Sequence, residues 1–200
     1  MKTKLILFIL VLSGIAVFAQ GYKVGDTARD FSLKNVDGKQ VTLKQFSDAR
    51  GFIVVFTCNH CPFSKAYESR IIDLDKKYAA LGYPVIAINP NDEKIVPEDS
   101  YSNMVALAKE KHYPFPYLYD ESQEIASTYG ASRTPHVFVL QKENDKNIIK
   151  YIGAIDNNAD DAGKVTAKFV GNAVDALLAG KEVPLAETKA IGCTIKWKQQ

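Results

Sequence analysis

Cysteine is scarce in this chain of 200 residues, occurring only as Cys58, Cys61 and Cys193. A disulfide-scaffold protein carries more cysteines in fewer residues, so the fold must rest on an apolar core. The length is enough for one domain to bury such a core without staples. Histidine is as sparse, with three residues. No second cysteine pair accompanies the first, and His112 and His136 lie far apart, which removes a structural zinc site. Pro62 stands where covalent haem attachment requires histidine. Internal repeats and low-complexity blocks are missing. The acidic run Asp156-Asn157-Asn158-Ala159-Asp160-Asp161 lacks the glycine and the closing glutamate of a calcium loop.

Charge of one sign is not in excess, and the apolar run at the amino end makes the balance closer still. Lys2 and Lys4, the run Leu5 to Phe18, and Val17-Phe18-Ala19 read as a signal peptide over residues 1–19, with the mature chain starting at Gln20. The run falls short of the about 20 residues a transmembrane helix needs, so a membrane enters only if the segment stays uncleaved. No cysteine follows the cleavage point, which argues against lipid attachment. Of 25 basic and 23 acidic residues, loss of Lys2 and Lys4 leaves 23 of each. Neither nucleic acid nor an anionic membrane is therefore expected as a partner. The expected location is periplasmic or otherwise extracytoplasmic.

Along residues 20–200 the elements alternate within a single expected domain. Phe31-Ser32-Leu33 and Val41-Thr42-Leu43 flank Asp37-Gly38 as a hairpin. Phe52 to Thr57 is an unbroken apolar run, the pattern of a strand covered on both faces. Tyr67, Ile71, Leu74 and Tyr78 recur at helical spacing from Phe63 to about Leu81, with Gly82 closing the helix. Tyr83 to Asn89 is the next strand, giving a parallel crossover. An insertion at about 90–116 holds a helix from Tyr101 to Lys111. A strand at Tyr117 to Tyr119, a helix from Glu121 to Tyr129, a hairpin of His136 to Gln141 with Ile148 to Ile155, and a helix from Ala162 to Ala179 complete the pattern. The tail at about 181–200 has no clear period. The class is α/β, a central mixed sheet flanked by helices, with an N-terminal hairpin extension and a helical insertion.

The chemistry sits in Cys58-Asn59-His60-Cys61-Pro62, directly after the buried strand. Two cysteines at this spacing close a small disulfide and reopen it. A cysteine near a helix N-terminus meets free amides and the positive end of the dipole, which lowers its pKa from about 8.5 into the range ~3.5–7.5. On that geometry Cys58 attacks and Cys61 resolves the mixed disulfide. His60 is expected to stabilise the thiolate and so make the pair more oxidising. A soft metal such as copper, held by Cys58, Cys61 and one histidine, is the competing use of the same residues. Cys193 is either a resolving or regulatory thiol reaching back to Cys58, or an inert buried cysteine beside Ile195 and Trp197.

These residues resemble the thioredoxin superfamily, and within it the exported thioredoxin-like and peroxiredoxin-like (redoxin, AhpC/TSA-type) branch. The likeness covers Val24 to Leu178. It rests on Gly25 to Leu33, Asp37-Gly38-Lys39, Val41-Thr42-Leu43, the dithiol, and Arg133-Thr134-Pro135 before a strand. The resemblance implies a thioredoxin-like fold and a cis peptide before Pro135, with Thr134 and Pro135 facing the dithiol and binding the partner's extended backbone. It also implies thiol–disulfide exchange with cysteine-containing proteins and a thiol–disulfide redox partner, without a cofactor or metal. The sequence departs from the family in having Thr57 in place of the tryptophan before the dithiol, and Ser64 where related proteins carry an acid. Peroxiredoxins supply the rival reading, peroxide reduction with Arg133 matching their arginine. Thr57 is at the wrong spacing for their threonine.

Overall fold

The computed structural model describes residues 21–199; the expected signal peptide lies outside them. Among the described residues, ten strands and four α-helices follow one another. They are β1 (Thr27–Ala28), β2 (Leu33–Asn35), β3 (Gln40–Val41), β4 (Gly51–Phe56), α1 (Pro62–Tyr78), β5 (Val85–Asn89), α2 (Tyr101–Glu110) and β6 (Tyr117–Tyr119), then α3 (Glu124–Tyr129), β7 (Arg133–Thr134), β8 (His136–Glu143), β9 (Lys146–Gly153), α4 (Phe169–Leu178) and β10 (Cys193–Thr194). Eight strands form one sheet in the order β1-β9-β8-β4-β5-β6-β2-β3. In it β4 runs parallel to β5 and antiparallel to β8.

The unbroken apolar composition of β4 is explained by its place at the centre. Ile53 and Val55 face one layer, with Tyr67, Ile71 and Tyr78 of α1 and Val170 and Val174 of α4. Phe52, Val54 and Phe56 face the other, with Ile125, Ala126 and Tyr129 of α3. Successive side chains of a strand point to opposite faces, so a strand roofed on both sides has no polar position to spare. This is the mixed, helix-flanked sheet of the thioredoxin-like fold.

Local signals place most elements. Pro62 opens α1, where its missing N–H costs nothing, and Gly82 ends the following turn at φ 90°. The β8–β9 hairpin turns through Asn144 and Asp145, both at positive φ, the two-residue geometry that favours these residue types. Two expectations need correction. The helix expected from Ala162 begins only at Phe169. Asn157 accepts the Thr166 and Ala167 amides through its side chain and donates its own amide to the Ala167 carbonyl, holding that stretch extended. The tail is also structured. Thr188 bonds Ile152 and Ala154, β10 pairs antiparallel with β7, and buried Ile195 joins the core of the α3 face. Among the described residues no helix is long and apolar enough to cross a membrane.

Because β4 carries packing on both faces, a cavity there has little room to collapse. Ile53→Ala should cost about 2–5 kcal/mol, measured by urea denaturation with the slope of the transition unchanged.

Candidate active site

β4 ends at Phe56 and delivers Cys58 to the mouth of α1, while Cys61 takes the N-cap position of that helix. Both sulfurs meet the same residue of the opposite segment. Cys58 Sγ lies 3.3 Å from Thr134 Oγ1, and Cys61 Sγ lies 3.2 Å from the Thr134 carbonyl oxygen. The Thr134–Pro135 peptide is cis, and both residues are buried. Ser64 Oγ, 3.8 Å from Cys58 Sγ, completes the contacts on the α1 side.

Asp99 is the residue that sequence reasoning missed. It comes from the insertion and is fully buried. Oδ1 accepts the amides of Asn59 and His60 at 2.7 and 3.1 Å. Oδ2 meets His60 Nδ1 at 2.5 Å and accepts Asn91 Nδ2 at 2.7 Å. Asn59 adds a second tie, donating to the Glu98 carbonyl and accepting from the Tyr117 hydroxyl. The loop between the cysteines is therefore locked by the insertion. Pro97-Glu98-Asp99-Ser100 signals a helix start, yet nothing local says where its carboxylate reaches.

Burial, with this carboxylate beside it, overturns the expected acidity of Cys58. The thiol is 5% exposed. Burial pushes its pKa above the ordinary thiol value, and the negative charge of Asp99 pushes it further up. Hydrogen bonds from Thr134, Ser64 and the Cys61 backbone pull the other way and do not prevail. His60 Nδ1 stands 3.7 Å from the sulfur, but the ring faces Asp99, so the pair brings no net positive charge to the thiol.

The disulfide also differs from the expected one. Cys61 is bonded to Cys193, with their Cα atoms 6.2 Å apart, and Cys58 is free. Cys193 is thus neither a lone buried cysteine nor partnered with Cys58. Beside it Ile195 is buried, while Trp197 is exposed.

A family model described as the AhpC/TSA family matches residues 24–152, more than half of the chain. The chain belongs to this family. It thereby falls in the redoxin branch of the thioredoxin superfamily. Thiol-disulfide oxidoreductase ResA of Bacillus cereus is 26% identical over 147 residues, covering 69% of this chain and 80% of the relative. The crystal structure of a conserved protein from Geobacillus kaustophilus is 39% identical, with a TM-score of 0.82 over 89% of this chain and 94% of that one. A hypothetical protein from Sinorhizobium meliloti is 35% identical, with a TM-score of 0.83 over 90% of this chain and 98% of that one.

Two residues raised for this AhpC/TSA-family protein from its sequence are engaged by backbone groups. Arg133 donates to the Gly192 carbonyl at 2.9 Å, so its guanidinium holds the tail. His136 is buried, and its Nδ1 accepts the Ser132 amide. The expected copper set of Cys58, Cys61 and one histidine therefore loses Cys61 to the disulfide, and His136 has its Nδ1 engaged by a backbone amide. Cys58, His60 and Asp99 do place ligand atoms within 4.8 Å of one another. Both Asp99 oxygens there are already engaged, and a metal would have to displace those hydrogen bonds.

Burial pushes His136 down from 6.5 to about 4. Between these values the unfolded chain binds the proton and the folded one does not, so stability falls as pH drops from 6.5 towards 4, by at most about 3 kcal/mol. His136→Gln, which keeps an acceptor for Ser132, should flatten this part of the stability–pH curve in urea denaturation.

Proposed function

We propose that this protein is an exported thiol–disulfide oxidoreductase acting on protein cysteines. The observation that carries the reading is the placement of Cys58 and Cys61, three apart at the start of α1, against the cis Thr134–Pro135 segment. Cys58 is the nucleophile and attacks a partner's disulfide; Cys61 then displaces the partner from the mixed disulfide. Proline at 135 has no N–H to disturb the sulfurs, and an extended partner chain reaches the backbone of Arg133 and Thr134 by displacing β10, which pairs with them here. The ResA relatives, named as thiol-disulfide oxidoreductases, support this chemistry. The partners are cysteine-containing proteins and a redox protein that resets the pair. The basic and apolar amino end supports export.

Direct peroxide reduction fits less well. It asks for a cation beside the attacking sulfur, whereas the Arg133 guanidinium is bound to the tail.

His60 and Asp99 tune the nucleophile as a unit. Removing the Asp99 charge while keeping an acceptor for the loop amides should lower the Cys58 pKa. Asp99→Asn is expected to shift the pH profile of iodoacetamide alkylation of Cys58 to lower pH, most clearly in a Cys61→Ser, Cys193→Ser background.

Insulin reduction driven by dithiothreitol tests the function itself. Cys58→Ser should abolish the acceleration over dithiothreitol alone, and Cys61→Ser should stall after one mixed disulfide per protein. Wild-type turnover in both variants would refute the assignment.

A further inference from the structure

We infer that Cys193 is a third redox cysteine of this site, exchanging disulfides with the Cys58–Cys61 pair through their shared member Cys61 and presenting the sulfur at which an external protein thiol enters. This rests on the dithiol reading above and extends it to a relay.

Three observations carry it. Cys61 is bonded to Cys193 while Cys58 remains a free thiol in contact with the same Thr134. The three sulfurs therefore belong to one site, in which Cys61 has two possible partners. Second, burial separates their roles. Cys61 is fully buried and Cys58 nearly so, whereas Cys193 is half-buried. A protein-borne thiolate needs access to the sulfur it attacks, and Cys193 is the most exposed residue of the trio.

Third, the tail is built to hold Cys193 there. Cys193 pairs with Thr134 and Thr194 with Arg133, and Arg133 donates to the carbonyl of Gly192. A side chain at position 192 would collide with the Thr134 carbonyl, so glycine permits this approach. Beyond Cys193, the Ile195 amide donates to Ser132. Lys196 is fixed through its amide to Asn91 Oδ1 and through its carbonyl to Gln123 Nε2.

The exchange balances without an added oxidant. The Cys58 thiolate attacks Cys61 Sγ, a Cys58–Cys61 bond forms and the Cys61–Cys193 bond breaks. Cys193 leaves as a thiolate and takes up the proton that Cys58 gave to solvent. In the reverse sense, a Cys58–Cys61 disulfide formed on a substrate is passed to Cys61–Cys193. A partner dithiol then attacks Cys193, releases the Cys61 thiolate, and closes its own disulfide by expelling Cys193. Two electrons pass from that dithiol to the protein.

The experiment has two arms. In the first, the protein is oxidised with diamide, quenched in acid, alkylated, and mapped without reduction. Wild type should yield Cys61–Cys193 with alkylated Cys58, and Cys193→Ser should yield Cys58–Cys61. Gly192→Ala, which keeps the thiol but disturbs its seat, should shift the population from the first linkage towards the second. In the second arm, reduced thioredoxin re-reduces the oxidised proteins. Cys193→Ser should be slower than wild type by about tenfold, because only the less exposed sulfurs remain to be attacked. Cys193 alkylated throughout in the wild type, or equal re-reduction rates, would overturn the relay. Failure of insulin reduction in the wild type would refute the dithiol reading instead, and the diamide map does not depend on it.

Discussion

Both buried sulfurs of the site rest on a single residue, Thr134. Its hydroxyl meets Cys58, its carbonyl meets Cys61, its backbone pairs with Cys193, and its peptide bond to Pro135 is cis. That convergence depends on β4 and β8 being neighbours in the sheet. Phe56 lies opposite His136 in their antiparallel register, so the end of β4 and the segment just before β8 emerge at the same edge. Side chains packed on both faces of β4 keep that edge in place, so the chemistry depends on the core and not on the loop alone.

The second constraint is the buried Asp99 carboxylate. A buried charge without partners is costly, and this one is satisfied by the two loop amides, His60 and Asn91. The same bonds that pay its desolvation fasten the insertion to the cysteine loop. Its charge also opposes ionisation of Cys58. The insertion is thus an electrostatic part of the site, and His60 cannot be judged apart from it: an imidazole facing a carboxylate stabilises a neighbouring thiolate far less than an imidazole alone.

What was legible in the sequence is what local physics encodes. The apolar run of β4 and the Gly82 stop after α1 could be read because neighbouring residues carry the signal, and so could the strand Tyr117–Tyr119 and the hairpin of β8 and β9. The resemblance placed Thr134 and Pro135 opposite the dithiol. Asp99 and Cys193 were not legible as site residues. One reaches Asn59 and His60 from an insertion that resembles an ordinary surface helix, and the other reaches Cys61 across 132 residues. Neither contact leaves a periodicity or a spacing. The late start of α4 has the same origin, the Asn157 side-chain oxygen accepting the Thr166 and Ala167 amides in place of helical carbonyls.

Anchors on both sides of Cys193 bear directly on how Cys61 chooses its partner. Thr188 on one side and Ile195 on the other hold the tail by non-covalent contacts, so opening its disulfide need not release it. A tethered thiol then competes at an effective concentration on the order of millimolar or above, beyond what a dilute partner supplies. The choice between Cys58 and Cys193 becomes intramolecular, governed by which sulfur carries charge more readily as it attacks or leaves. Cys58 is poorly placed to carry charge, being buried and facing Asp99, while Cys193 is nearer solvent. The Cys61–Cys193 linkage should accordingly persist until Cys58 ionises or an outside thiol reaches Cys193. Asp99, though it touches neither Cys61 nor Cys193 through a hydrogen bond, thereby helps set how long the site remains in that state.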